Sequence, residues 1–271
     1  MKREGLAVET PGSGPLGSTL KTRLAAEVAP DVALAETMRS PVEPIPSGVR
    51  GRTTGAELLP GTRIEGDYRI VAPIGSGAMG IVVVAHDERL DRRVAIKFVR
   101  PALLSAGFRE RFAAEARAMA RVNHPNVLHI YASGEHASIP FFVMELVEGQ
   151  TLERWLDARA SSFDLAAGLR ILEETCLGVA AIHEAGTLHR DIKPSNILLD
   201  AQLHPRIADL GLAVLRNHTE QAVTEIVGTP AYMAPEAAMP RLLEPELRQR
   251  ADVYSLACIG YEILTGERPF H

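Results

Sequence analysis

Three glycines in Gly75-Ser76-Gly77-Ala78-Met79-Gly80 stand between Ile74 and the apolar, β-branched run Ile81 to Ala85. That neighbourhood restricts the fold more than any other part of the chain. A glycine cluster alone only punctuates a loop. A dinucleotide-binding turn of this spacing must open straight into a helix, whereas Ile81, Val82, Val83 and Val84 favour an extended chain. The run therefore predicts a strand, a glycine turn and a second strand, a hairpin whose backbone N–H groups can approach phosphate.

Val94 to Val99 alternates with period two, placing Val94, Ile96 and Phe98 on one face and Ala95, Lys97 and Val99 on the other. A lysine in an apolar strand is costly unless its charge is met. The alternative is an edge-strand lysine that discourages aggregation. A partner is available in the following helix, where Phe108, Phe112, Ala116 and Met119 form an inward stripe bordered by Glu115. Glu115 has a second candidate partner in Arg111 on its own helix. His124-Pro125-Asn126 closes this helix, and Phe141 to Val147 reads as a buried strand running into a turn at Glu148-Gly149. Leu165, Leu169, Leu172, Cys176, Ala180 and His183 then keep a helical period.

After that helix comes His189-Arg190-Asp191-Ile192-Lys193-Pro194-Ser195-Asn196, followed by Asp209-Leu210-Gly211. Phosphoryl transfer asks for a carboxylate to take a hydroxyl proton, a cation on the moving phosphate and oxygen ligands for magnesium. Asp191, Lys193, Asn196 and Asp209 are residues of those types.

With these motifs in this order, the chain resembles a eukaryotic-like (bacterial-type) serine/threonine protein kinase catalytic domain. The resemblance implies an α+β, two-lobed fold, with a small antiparallel sheet and one key helix followed by a mostly helical lobe. It implies ATP and Mg2+ in the cleft, protein substrates presenting serine or threonine, and autophosphorylation. Asp191 would accept the hydroxyl proton and Lys193 would steady the transferred phosphate. Asn196 and Asp209 would hold magnesium, while Lys97, paired with Glu115, would grip the nucleotide. Ile74, Gly75, Ser76, Gly77, Ala78, Met79, Gly80, Val82, Ala95, Glu145, Val147 and Leu198 would surround it, with Met144 at the back.

Lys193 resembles the serine/threonine branch. Gly228 to Glu236 matches the end of an activation segment, in which Thr229 would bond the catalytic loop and Thr224 or Thr219 would carry phosphate facing Arg190. Asp252 resembles the carboxylate that caps the catalytic-loop backbone, a plain helix N-cap being the competing role. Leu210 replaces the usual phenylalanine of the metal triplet and keeps its bulk. His189, Leu210, Met119 and Ile130 would form an apolar column.

Composition agrees with a globular chain: 46% hydrophobic residues over 271, a net charge of −5, and no basic surplus that would suggest nucleic acid. No run approaches the length of a transmembrane helix, and no signal pattern opens the chain. Cys176 and Cys258 read as reduced packing residues, which fits the cytoplasm. Residues 1–59 are broken by prolines and glycines and read as a disordered leader, with a short helix possible over Thr19 to Ala29. Residues 60–271 form the kinase domain, with lobes at about 67–147 and 148–271.

Val253, Leu256, Ala257, Gly260, Tyr261 and Leu264 make an almost all-round apolar helix that should be buried on several sides. Related kinases continue with further helices and an arginine for Glu236, so the domain is expected to be cut short. Two rival readings follow: a catalytically inactive nucleotide-binding or scaffolding remnant, and a small-molecule phosphotransferase, which Lys193 and the Gly228 to Glu236 segment argue against.

Overall fold

A computed structural model describes residues 58–77, 80–100, 108–158, 164–209, 230–238 and 248–270. The chain divides into Met1–Val32 and Ala33–His271, and every described residue belongs to the second unit. The expected leader and its possible helix therefore lie outside the described residues, apart from Leu58 and Leu59.

Six strands form the first sheet: β1 (Arg63–Ile64), β2 (Tyr68–Gly77), β3 (Gly80–Asp87), β4 (Arg92–Val99), β5 (Ile130–His136) and β6 (Ile139–Met144). Their order is β1-β2-β3-β4-β6-β5, and all neighbours are antiparallel. The glycine run behaves as a hairpin, with β2 and β3 paired out to Gly77 opposite Gly80. Gly80 has a packing reason as well: a Cβ there would collide with the Phe98 carbonyl oxygen on β4. Alternation on β4 sends Val94, Ile96 and Phe98 into one apolar cluster with Phe141 and Val143, while Ala95 joins another.

Helix α1 (Phe108–Met119) follows β4 and buries Phe112, Ala116 and Met119, with Phe112 stacked on Phe142 of β6. It ends at Met119, five residues before the expected stop at His124. Gly149 does not sit in a turn but opens β7 (Gly149–Thr151), which pairs with β8 (Ile197–Asp200), itself paired with β9 (Pro205–Ile207). Backbone contact explains the residue, since a Cβ on Gly149 would strike the Leu199 carbonyl oxygen.

Three further helices are α2 (Leu152–Asp157), capped by Thr151, α3 (Leu165–Glu184), capped by Asp164, and α4 (Arg248–Thr265). Helix α3 turns Ala167, Ile171, Thr175, Gly178, Val179 and Ile182 inward. The expected stripe is offset from this face: Leu165, Leu169 and Cys176 are exposed. Cys176 is thus no packing residue, whereas Cys258 is buried. On α4, Leu256, Ile259, Gly260 and Ile263 are buried, but Val253, Ala257, Tyr261 and Leu264 form an exposed strip at helical spacing. The strip is the apolar surface for which the sequence pattern asks a cover.

Candidate functional site

Asp252, on the second turn of α4, organises the loop that follows α3. It is buried, accepts from the backbone N–H of His189 (Oδ2, 3.0 Å) and of Arg190 (Oδ1, 2.8 Å), and meets His183 Nε2 at 2.8 Å. Because α4 begins at Arg248, Asp252 is its fifth residue and cannot be its N-cap. Burial pushes its carboxyl up, but the bonds from His183, His189 and Arg190 outweigh this and hold it below the usual carboxylate value.

Above that anchor, Arg190 adopts a left-handed backbone (φ 66°), sparsely populated by residues with a side chain. His189 is fully buried, its Nε2 against the Ala208 carbonyl (2.9 Å) and its Nδ1 accepting from Asp191 N–H (3.2 Å). In that arrangement Nε2 carries the hydrogen.

The turn so held brings three predicted residues together. Lys193 Nζ lies 3.1 Å and 2.9 Å from the two Asp191 carboxylate oxygens. Asn196, in the 3-10 turn Pro194–Asn196, donates from Nδ2 to the Asp191 carbonyl (2.8 Å) and to Asp191 Oδ2 (3.2 Å). Both neighbours donate to this carboxylate, whose oxygens accept.

Lys97 is on β4, flanked by β3 and β6, which removes the edge-strand reading. It is buried, and Nζ lies 2.5 Å from Asp209 Oδ1, joining residues 112 apart in sequence. Asp209, also left-handed (φ 61°), feels opposing influences. Removal from water raises its carboxyl, while Lys97, helped by His189 and Lys193, wins and holds it below the usual value. Among the described contacts the partner of Lys97 is therefore Asp209. The Glu115 backbone is on α1, and its side chain lies outside the described residues, as do Ala78, Met79, Leu210, Thr219, Thr224 and Thr229.

The apolar residues expected around the nucleotide converge as well. Ile74, Val82, Ala95, Met144, Val147 and Leu198 pack into one buried cluster with Leu128 and Ala208. They come from β2, β3, β4, β6, the following linker and β8. Behind them a pocket is lined by Lys97, Met119, Leu128, Ile130, Phe142, Met144, Ile207 and Asp209. Gly75, Ser76 and Gly77 end β2 beside this cluster's Ile74. Glu145 N–H donates to the His129 carbonyl at 2.9 Å.

The protein kinase domain model matches residues 68–271. The chain belongs to the protein kinase domain family. It is 39% identical over 220 residues to a probable serine/threonine-protein kinase, pknA2, of Bifidobacterium longum, covering 79% of this chain and 28% of that protein. It is 37% identical over 215 residues to the serine/threonine-protein kinase PrkC of Bacillus subtilis, covering 79% and 32% respectively. The chain thus spans about a third of the length of these two curated relatives. Among solved structures, the PknI kinase domain of Mycobacterium tuberculosis superposes with a TM-score of 0.64 at 26% identity, covering 79% of this chain and 78% of that one.

Kinases of this family use ATP with a divalent metal. The donor chemistry suits magnesium, a hard cation that takes one or two protein oxygens and fills its remaining positions with phosphate and water. Asp209 supplies a carboxylate, and Asn196 keeps its side-chain oxygen while its amide nitrogen is engaged. Among the described residues no group of three or more His, Cys, Asp or Glu side chains forms a metal cage. Also among the described residues, no helix is long and apolar enough to cross a membrane.

Two contacts escape the motif reading. His183 reads as one more member of a structural helix, yet it braces Asp252. Arg206, in His204-Pro205-Arg206-Ile207, contacts Glu145 Oε1 at 3.5 Å. Only its position three residues before Asp209 marks it.

Proposed function

We propose that the chain is the catalytic part of a serine/threonine protein kinase that transfers the γ-phosphate of ATP to serine or threonine hydroxyls of proteins, its own included. The observation that carries this is the Asp191, Lys193 and Asn196 constellation, held from below by Asp252 and facing a cleft that contains Lys97 and Asp209. Asp191 orients the incoming hydroxyl and accepts its proton. Lys193, which bonds the Asp191 carboxylate, steadies the transferred phosphate as charge moves towards the acceptor. Ile74, Val82, Ala95, Val147 and Leu198 enclose the base and exclude water, and Lys97 holds the phosphates, with Glu115 on α1 as its second partner. Asn196 and Asp209 hold magnesium, which supplies charge neutralisation on the phosphates. ATP use and two free thiols suit a reducing, nucleotide-rich compartment, and we place the domain in the cytoplasm. Thr224 and Thr219 are the first sites to inspect for phosphate.

The test is transfer of labelled phosphate from ATP-Mg to the chain itself and to a generic protein acceptor. Asp191→Asn should lower turnover by about 10²- to 10⁴-fold while ATP binding persists. Turnover retained by Asp191→Asn would remove its assignment as the proton acceptor.

A further inference from the structure

The segment 145–148 links β6 to β7 and is pinned at both ends by backbone. Glu145 N–H donates to the His129 carbonyl (2.9 Å), and Gly149 is paired with Asp200, too close to Leu199 to admit a Cβ. Both carboxylates that this linker carries are claimed by arginines from different strands. Glu145 Oε1 meets Arg206 Nε at 3.5 Å, and its Oε2 takes a long bond from His129 N–H (3.5 Å). Arg206 Nη2 also faces Asp200 Oδ2 at 3.8 Å, the residue opposite Gly149. Glu148 pairs with Arg93.

The positions of the two arginines are informative. Arg93 is on β4, four residues before Lys97, and Arg206 is on β9, three residues before Asp209. Each strand that delivers a charged group to the cleft is thus tied to the linker by an ion pair. The pairs differ in strength. Side chains in the Arg93–Glu148 pair are 47% and 65% exposed, open to water and to screening by salt. Those of Arg206 and Glu145 are 22% and 30% exposed, and Arg206 has the second carboxylate of Asp200.

We propose that Arg206 is a positioning residue for the nucleotide. Through Glu145 it sets the linker at a fixed distance from the strand that leads to Asp209. The backbone of Glu145 and Val147, which meets the adenine, is thereby held in register with the groups that meet the phosphates. The inference rests on the kinase reading above and adds to it a residue that touches neither substrate. A lone Nε contact at 3.5 Å uses the charge of Arg206 more than its forked geometry, so lysine should substitute in part.

ATP-Mg affinity is measured by equilibrium titration on the full chain, with kcat and the KM for a peptide acceptor alongside. The set is wild type, Arg206→Gln, Arg206→Lys, Glu145→Gln and the double variant Arg206→Gln with Glu145→Gln. Arg206→Gln should raise the ATP Kd about threefold to tenfold, and the double variant should be no weaker than the worse single, because both remove one interaction. Arg206→Lys should recover most of the affinity, and in the two Arg206 single variants kcat and acceptor KM should stay near wild type. An unchanged Kd in a folded Arg206→Gln protein would overturn the inference, as would additive effects in the double variant. If Arg206→Gln fails to fold, Glu145→Gln carries the same comparison. Absence of ATP binding by wild type would remove the kinase reading, and this inference with it.

Discussion

Asp252 braces the loop that carries Asp191 from the side of α4. Two backbone N–H groups, of His189 and Arg190, depend on it. Asp252→Ala should cost about 1–3 kcal/mol for the buried His189 donor left without a partner, seen as a lower midpoint in denaturant. The same residue sets an acid limit. Its folded-state carboxyl is depressed, so its contribution is full above the unfolded value of 3.8 and is lost as pH falls through the lower folded value. Stability followed from neutral pH downward should therefore fall in the acid limb below about pH 4, and Asp252→Asn should flatten that limb. At this scale the sequence was informative wherever residue type and chemistry coincide, as at Asp191, Lys193, Asn196 and Asp252. It was silent on Arg206, because an arginine between Pro205 and Ile207 has no local reason to find Glu145. The pairing of β7, β8 and β9, with the bridge from Ile207 to Val127 beside His129, brings linker and strand together.

Elements were legible where period and caps agreed, so the glycine hairpin, β4, α1 and α3 all stand near their expected places. Faces were less legible. Leu165 and Leu169 repeat at helical spacing, but the inward side of α3 is set by what it meets, including Asn126 and Ile207 against Gly178. Glycines therefore separate into two kinds by contact. A methyl on Gly149 would meet the Leu199 carbonyl and the Asp200 Cα, both backbone. One on Gly260 would meet only the two Leu172 methyls, at 3.1 Å and 3.8 Å, the end of a flexible side chain. Gly149→Ala should destabilise by about 1–3 kcal/mol or more, while Gly260→Ala on helix α4 should be near neutral, any small strain being offset by a gain of up to about 1 kcal/mol in helix propensity. Thermal melts of the two variants decide this, and equal losses would show that the β7–β8 contact relaxes freely.

Over the whole molecule, the described surface leaves Val253, Tyr261 and Leu264 about half exposed on one strip of α4. Apolar surface contributes roughly 25 cal/mol per Å² when removed from water, so the chain should bind an apolar dye and associate with increasing concentration. Val253→Glu with Leu264→Glu should lower both signals without lowering the melting temperature, as neither side chain is in the core. A melt lowered by those changes would place the strip inside a packed interface instead. The first sheet has a different consequence, for the order of events during synthesis. Its six strands run from Arg63 to Met144, and every adjacent pair except β4 with β6 is consecutive in the chain. That pattern is one of short loop closures. A ribosome that has released residue 144 has already supplied the whole sheet, including the strand that carries Lys97, while Asp191 and Asp209 are still to be translated. The sheet that carries Lys97 is therefore available as a template before the linker, Leu198, Asp191 and Asp209 are added to it.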